Sequence, residues 1–187
     1  MLDTLGKELK SAGLNCAVFS IDSVGEAAHI KYLSISTDII RKIEKITGLK
    51  LENHTISKRL WPGDRILKQR EQVWYSNPKE IFQRMFPAYS ALVIKKAFQY
   101  INLQEDDQLC FLPLIGGEEV IGGMAIWGSA LKQEDRPILS VIGSQVASSL
   151  HNRANYESEV LRTGELARSN AMIMALSNVA ARLDTTT

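Results

Sequence analysis

The chain is predicted to be an α+β protein built on an antiparallel sheet, and three observations lead there. Residues 109–128, LCFLPLIGGEEVIGGMAIWG, set two apolar runs on either side of Gly-Gly-Glu-Glu. Glycine supplies the positive φ that tight strand reversals need, so these runs form an antiparallel hairpin. In the second run Val120, Gly122, Met124 and Ile126 alternate with Ile121, Gly123, Ala125 and Trp127. Both faces are apolar or small, which requires cover on both sides of the sheet and leaves room for a buried pocket. The third observation is a helical pattern that follows the hairpin and runs far past ordinary helix length, to about Leu183.

Taken in order, Leu2, Leu5, Leu9 and Ala12 lie at helical spacing, and Gly13 stops that helix before the strand NCAVFSID. HIKYLSIS, residues 29–36, is the second strand. Thr37 or Asp38 caps a helix whose apolar stripe is Ile39, Ile40, Ile43 and Ile46 and whose end is Gly48. Residues 49–71 are irregular, with Pro62 and Gly63 breaking a basic stretch; QVWYS is a short strand closed by Asn77-Pro78. Ile81, Phe82, Met85 and Phe86 mark one short helix, and Val93, Ile94, Ala97, Phe98 and Ile101 another. The hairpin follows as the rim of the sheet. The exit helix starts with Glu134 and Asp135 at the positive end of its dipole and Pro137 in its first turn. Ile138, Leu139, Ile142, Val146 and Leu150 form the stripe that docks on the sheet.

Beyond that stripe the apolar positions continue as a coiled-coil-like seam of Leu150, Ala154, Leu161, Met172, Leu176, Val179 and Leu183. Met172 to Leu183 are spaced 4, 3, 4, and the eleven residues from Leu161 to Met172 form a stutter. Arg153 with Glu157, Glu159 with Arg162, and Glu165 with Arg168 place opposite charges one turn apart on the outer face. Two units are expected: a domain over 1–150 and a signalling helix or linker over 151–187.

Composition narrows the function classes. The 187 residues carry 22 Lys plus Arg against 21 Asp plus Glu, a net charge of +1, so no global field favours nucleic acid or an anionic membrane. No apolar run approaches the roughly 20 residues that span a bilayer, and MLDTLGKELK lacks the apolar stretch of a signal peptide. Cys16 and Cys110 are far apart inside strand-like runs, unlike a disulfide scaffold or a zinc cluster. A cytoplasmic location is expected.

The element order, and above all FLPLIGGEEVIGGMAIWG followed by EDRPILSVIGSQVASSLHNRANYESE, resembles the closing hairpin and helix of GAF domains in bacterial and archaeal sensor kinases. The resemblance covers roughly residues 1–155. It implies a GAF-like, PAS-related antiparallel sheet of five to six strands, with terminal helices on one face and a ligand pocket on the other. The tail LARSNAMIMALSNVAARLDTTT looks like a linker into a further module, so the chain is expected to be part of a larger receptor. It departs from several branches of that family. The Asn-Lys-Phe-Asp-Glu signature of cyclic-nucleotide-binding members is absent, neither cysteine precedes a histidine as in bilin-binding members, and the reactive cysteine set of the methionine sulfoxide reductases is missing.

Candidate ligand residues come in two groups. HTISKRLWPGDRILKQR, residues 54–70, lies where the family closes its pocket; Arg59 and Arg65 are placed to fork onto a carboxylate or phosphate, with Trp61 as an apolar wall. The competing reading is a solvated basic loop. Trp74, Phe82, Phe86, Tyr89 and Met124, with Tyr75 and Trp127, supply apolar surface near the expected cavity, and such residues serve equally well as core. His54 is a further ligand candidate, for haem or a metal as in some members of the family it resembles, but it lacks neighbouring ligands at metal spacing, and the competing reading is a hydrogen-bonding loop residue. No nucleophile–base pair stands out, so no catalytic residue, metal or cofactor is expected. The expected role is a non-enzymatic sensory module that binds an unknown small molecule and signals through a parallel homodimer to further domains. The alternative is a ligand-free dimerising spacer in a tandem array.

Overall fold

The computed structural model describes residues 1–22, 26–51, 54–57, 63–104 and 106–184. They divide into two units, Met1–Ser148 and Ser149–Thr187. The first is built on a six-stranded sheet in the order β3-β2-β1-β6-β5-β4, comprising β1 Asn15–Ile21, β2 Ala27–Leu33, β3 Thr55–Ser57, β4 Val73–Tyr75, β5 Gln108–Gly116 and β6 Glu119–Gly128. Every neighbouring pair is antiparallel.

The β5–β6 hairpin reverses over Gly117-Glu118 alone, with Gly116 and Glu119 already paired, so the strands are longer than the apolar pattern indicates. Gly117 takes φ 65°, the positive value that a two-residue reversal demands at its first central position. Contrary to expectation, the hairpin is not the rim of the sheet. β1 pairs along the outer side of β6, from Asn15 opposite Trp127 to Ser20 opposite Gly122, and puts β6 in the middle; the edges are the three-residue strands β3 and β4. The Gly122-Gly123 pair permits this approach: a Cβ at Gly122 would overlap the Phe19 carbonyl oxygen and lie 3.3 Å from Ser20 Cα.

Helices cover the two faces unequally. α2 Thr37–Thr47, α4 Pro78–Met85 and α5 Ala91–Tyr100 bury Ile43, Ile81, Ile94 and Phe98 in one cluster with Phe19, Phe111, Ala125 and Trp127 of the sheet. On the other face α1 Leu2–Ser11 sets Gly6 beneath Tyr32, and the start of α6 Arg136–Asp184 brings Gly143 so close that a Cβ there would lie 3.8 Å from Leu112 Cβ. The α6 stripe differs from the predicted one. Leu139, Val146 and Ala147 are buried and Gly143 lets the helix come close, whereas Ile138 is 61% exposed, because the docking face is rotated by about one residue position.

Local signals account for most boundaries. Gly48 ends α2 with φ 70°, and the helix begins after Ser36, one residue before the expected cap. Asn77 both closes β4 and caps α4, its side chain accepting from the Glu80 amide, and Ser90 does the same for Val93 in α5. Within the stretch expected to be irregular lie β3 and the short helix α3 Gly63–Gln69. α6 is assigned over Arg136–Asp184. In the second unit its described side chains from 152 to 174 are exposed, including Ala154, Leu161 at 70% and Met172 at 66%, and Leu150 before them is half-buried. The side chains of Leu176, Val179 and Leu183 lie outside the described residues.

Candidate functional site: an apolar cavity on one face of the sheet

Strand alternation decides which residues can reach a pocket. In β1, β5 and β6 the register puts Ala17, Phe19, Leu109, Phe111, Ala125 and Trp127 on the face covered by α2, α4 and α5. Cys16, Val18, Cys110, Leu112, Met124 and Ile126 point to the face covered by α1 and the start of α6. Between the first set and the helices lies a cavity of about 140 Å³. Phe19, Phe111, Ala125 and Trp127 form its floor; Phe82, Met85, Phe86 and Tyr89 wall one side, and Ile43, Ile94, Ala97 and Phe98 the other. The described residues present no polar surface to it.

The aromatic wall is ordered ring on ring. Phe82 meets Phe98 edge-on at 5.1 Å between centroids and stacks on Phe86 at 6.2 Å; Phe86 continues to Tyr89 at 6.5 Å and to His54 at 5.7 Å. These separations fall within the 4.5–7 Å range in which aromatic pairs are attractive. α4 starts at Pro78 because its ring preorganises the first turn, and Phe86 caps its end one turn after Phe82, its amide donating to the Phe82 carbonyl.

The candidate residues are not all brought together. Phe82, Phe86 and Tyr89 line the cavity. His54 stands behind Phe86 without lining it, and partial burial of its ring lowers its pKa below the ordinary histidine value. Trp74 pairs with Cys110 and so lies on the opposite face; its indole N–H donates to Gln72 Oε1 at 3.3 Å, and the Arg136 guanidinium sits 5.9 Å over its ring. Met124 is fully buried on that same opposite face, since it is in register with Val18 and Leu112. Period-2 alternation separates both from the cavity. Arg65 is exposed on α3 and donates to Gln69 Oε1 at 3.4 Å within its own helix, while Arg59 and Trp61 lie outside the described residues. Among the described residues, then, no cation reaches the cavity. Ile43, Ala97, Phe98 and Phe19 were not singled out as ligand contacts, although the helical stripes of α2 and α5 already marked three of them as inward-facing.

The thiols are buried and inert. Burial pushes Cys16 up to about 11, offset in part by Ser34, and Cys110 up to about 12, offset in part by the Arg136 charge. Neither provides a thiolate near neutral pH. No group of three metal-ligating side chains occurs among the described residues, and none of their helices is long and apolar enough to cross a membrane.

An antiparallel six-stranded sheet carrying terminal helices on one face and a helix-covered cavity on the other defines the chain as an α+β domain of the layered, sheet-and-helix class. Within it, the chain has the fold of GAF domains. The GAF domain of nlh2 from A. aeolicus, solved in an inactive state, superposes with a TM-score of 0.53 at 18% identity over 81% of this chain and 83% of that one. The GAF domain/HD domain protein of Geobacter sulfurreducens gives 0.54 at 12% identity over 82% and 89%. A domain assigned to a two-component sensor histidine kinase of Sinorhizobium meliloti 1021 gives 0.51 at 13% identity over 84% and 94%. No family model and no curated protein matches the sequence.

Proposed function

We propose that the chain is a non-enzymatic sensory module of a signalling protein, which binds a small molecule in the cavity under α4 and α5 and conveys the result through α6 as a parallel homodimer. The observation that carries this reading is the cavity itself: an apolar space of about 140 Å³ between the sheet and α2, α4 and α5, floored by the buried Phe19, Phe111, Ala125 and Trp127 and walled by the half-buried Phe82, Met85, Phe86 and Tyr89. Small-molecule sites are normally concave and lined by apolar and aromatic side chains, which is the character of this space. The sensor and GAF contexts of the structural neighbours agree with this role. The exposed seam from Ala154 to Met172 gives the homodimer its motive, because apolar side chains on a long helix seek a partner helix. A ligand biases the output only as far as it prefers one helix arrangement, typically by about 1–3 kcal/mol.

The second reading, a ligand-free spacer, is favoured by one feature: among the described residues no polar groups converge on the cavity. Native mass spectrometry of the purified chain, with sedimentation over a concentration series, separates the two. A retained small molecule on a dimer supports the sensor. An empty dimer whose stability responds to no added compound supports the spacer, and a monomer at high concentration removes the signalling helix from both.

A further inference from the structure

We infer that the cavity selects an uncharged, apolar ligand of about the size of a single aromatic ring, and that it rejects anions; this rests on the small-molecule reading above and specifies its chemistry. Three observations converge. The volume, about 140 Å³, is close to that of the engineered cavity of about 150 Å³ that takes up benzene, and it falls well short of the several hundred Å³ that nucleotide-sized or drug-sized ligands fill. The described lining offers no polar surface, so a carboxylate or phosphate entering it would lose its hydration and gain no partner. Even Trp127, whose indole N–H is buried without an acceptor among the described residues, shows the cavity only carbon.

The third observation concerns shape. Phe82 and Phe98 are perpendicular at 84°, and Phe86 and Tyr89 are tilted at 62°, so the wall presents both ring faces and ring edges. An aromatic guest can complete an edge-to-face contact with either orientation, whereas a flexible chain would gain only dispersion. Of the basic residues of 54–70, the described Arg65, Lys68 and Arg70 do not line the cavity, and Arg65 donates to Gln69 on its own helix. Cavity size and chemistry therefore do the discriminating, and a charged analogue of the same ring is the decisive comparison.

The test is titration of the full chain with benzene, toluene, ethylbenzene, butylbenzene and benzoate, followed by amide NMR shifts and calorimetry. Affinity is expected to rise by about fourfold for each added methylene while the guest still fits. It should then fall at butylbenzene, with benzoate at least about tenfold weaker than toluene. Ala125→Leu, which fills the floor, should weaken toluene binding at least about tenfold while the protein stays folded. Ala97→Leu, on the helical wall, provides the same test if the strand variant does not fold. Benzoate binding as tightly as toluene, or toluene binding undiminished in the filled variants, overturns the proposed ligand class and leaves the sensor reading standing. Failure of every probe to bind overturns the ligand class, and overturns the sensor reading as well only when native mass spectrometry also finds no retained molecule.

Discussion

Gly6 lies directly beneath the Tyr32 side chain: a methyl group at Gly6 would overlap the Tyr32 hydroxyl and come to 2.9 Å from Cζ. The contact sets how closely α1 lies on the sheet, because a Cβ at position 6 would force the half-buried Tyr32 ring projecting from β2 to shift. Two effects therefore oppose each other when Gly6 is changed to Ala. Helix propensity favours alanine by about 1 kcal/mol, and overpacking against a ring costs about 1–3 kcal/mol. Gly6→Ala is expected to destabilise the wild-type background in urea unfolding and to stabilise a Tyr32→Leu background. An equal loss in both would show that Tyr32 is not the obstacle.

Gly122 and Gly164 make a sharper pair. A side chain at Gly122 meets the Phe19 carbonyl, which is backbone in a paired strand and cannot rotate away; one at Gly164 meets nothing within 4 Å. Gly122→Ala should therefore destabilise the domain by more than about 3 kcal/mol or prevent folding, at the severe end of single substitutions. Gly164→Ala should slow proteolysis of the second unit and raise its helicity, consistent with about 1 kcal/mol of helix propensity. Similar behaviour of the two variants would contradict the close β1–β6 approach.

Much of this architecture is legible in the sequence, and the exceptions have identifiable causes. The hairpin, the helix stop at Gly48, the break at Asn77-Pro78 and the start of α6 near Pro137 rest on local chemistry that any chain would obey. The position of the hairpin within the sheet does not. That β1 lies beside β6 depends on which strand edges find each other across more than a hundred residues, and no local pattern encodes it. β3 and β4 are three residues long, too short for alternation to show. The site was half legible for a related reason. Phe82 and Phe86 follow from helical spacing, but placing Trp74 and Met124 requires the register with Cys110 and Val18. A one-residue shift moves a side chain to the other face.

The assignment of faces can be read from paired core substitutions. Phe111, 2% exposed, lies on the cavity floor, and Met124, fully buried, lies under α1 and α6. Phe111→Ala is expected to cost about 3–5 kcal/mol and to change the response to any cavity ligand. Met124→Leu, nearly volume-conserving, should cost less than about 1.5 kcal/mol and leave that response unchanged. Denaturant melts with and without toluene separate the two effects. A ligand response lost on Met124→Leu would place the binding region on the wrong face.

The two thiols should make stability fall at alkaline pH. Cys16 is held up to about 11 and Cys110 up to about 12, each chiefly by burial, whereas an unfolded thiol titrates near 9. Between those values the unfolded chain has released protons that the folded chain retains, so unfolding becomes easier as pH rises. The contribution of the neutral thiols is thus fully present below pH 9 and is lost as pH climbs towards 11 for Cys16 and 12 for Cys110. The limiting slope is about 1.4 kcal/mol per pH unit for each thiol. Cys16→Ala and Cys110→Ala should each flatten the decline in urea midpoints from pH 9 upward while leaving the slope below pH 8 unchanged. Reaction with a thiol reagent at pH 8 should likewise be slow in the native protein and fast in urea, since only opening exposes a thiolate. Rapid native labelling, or an alkaline decline unaffected by removing both cysteines, would show that these strand residues are not sealed under α1 and α6.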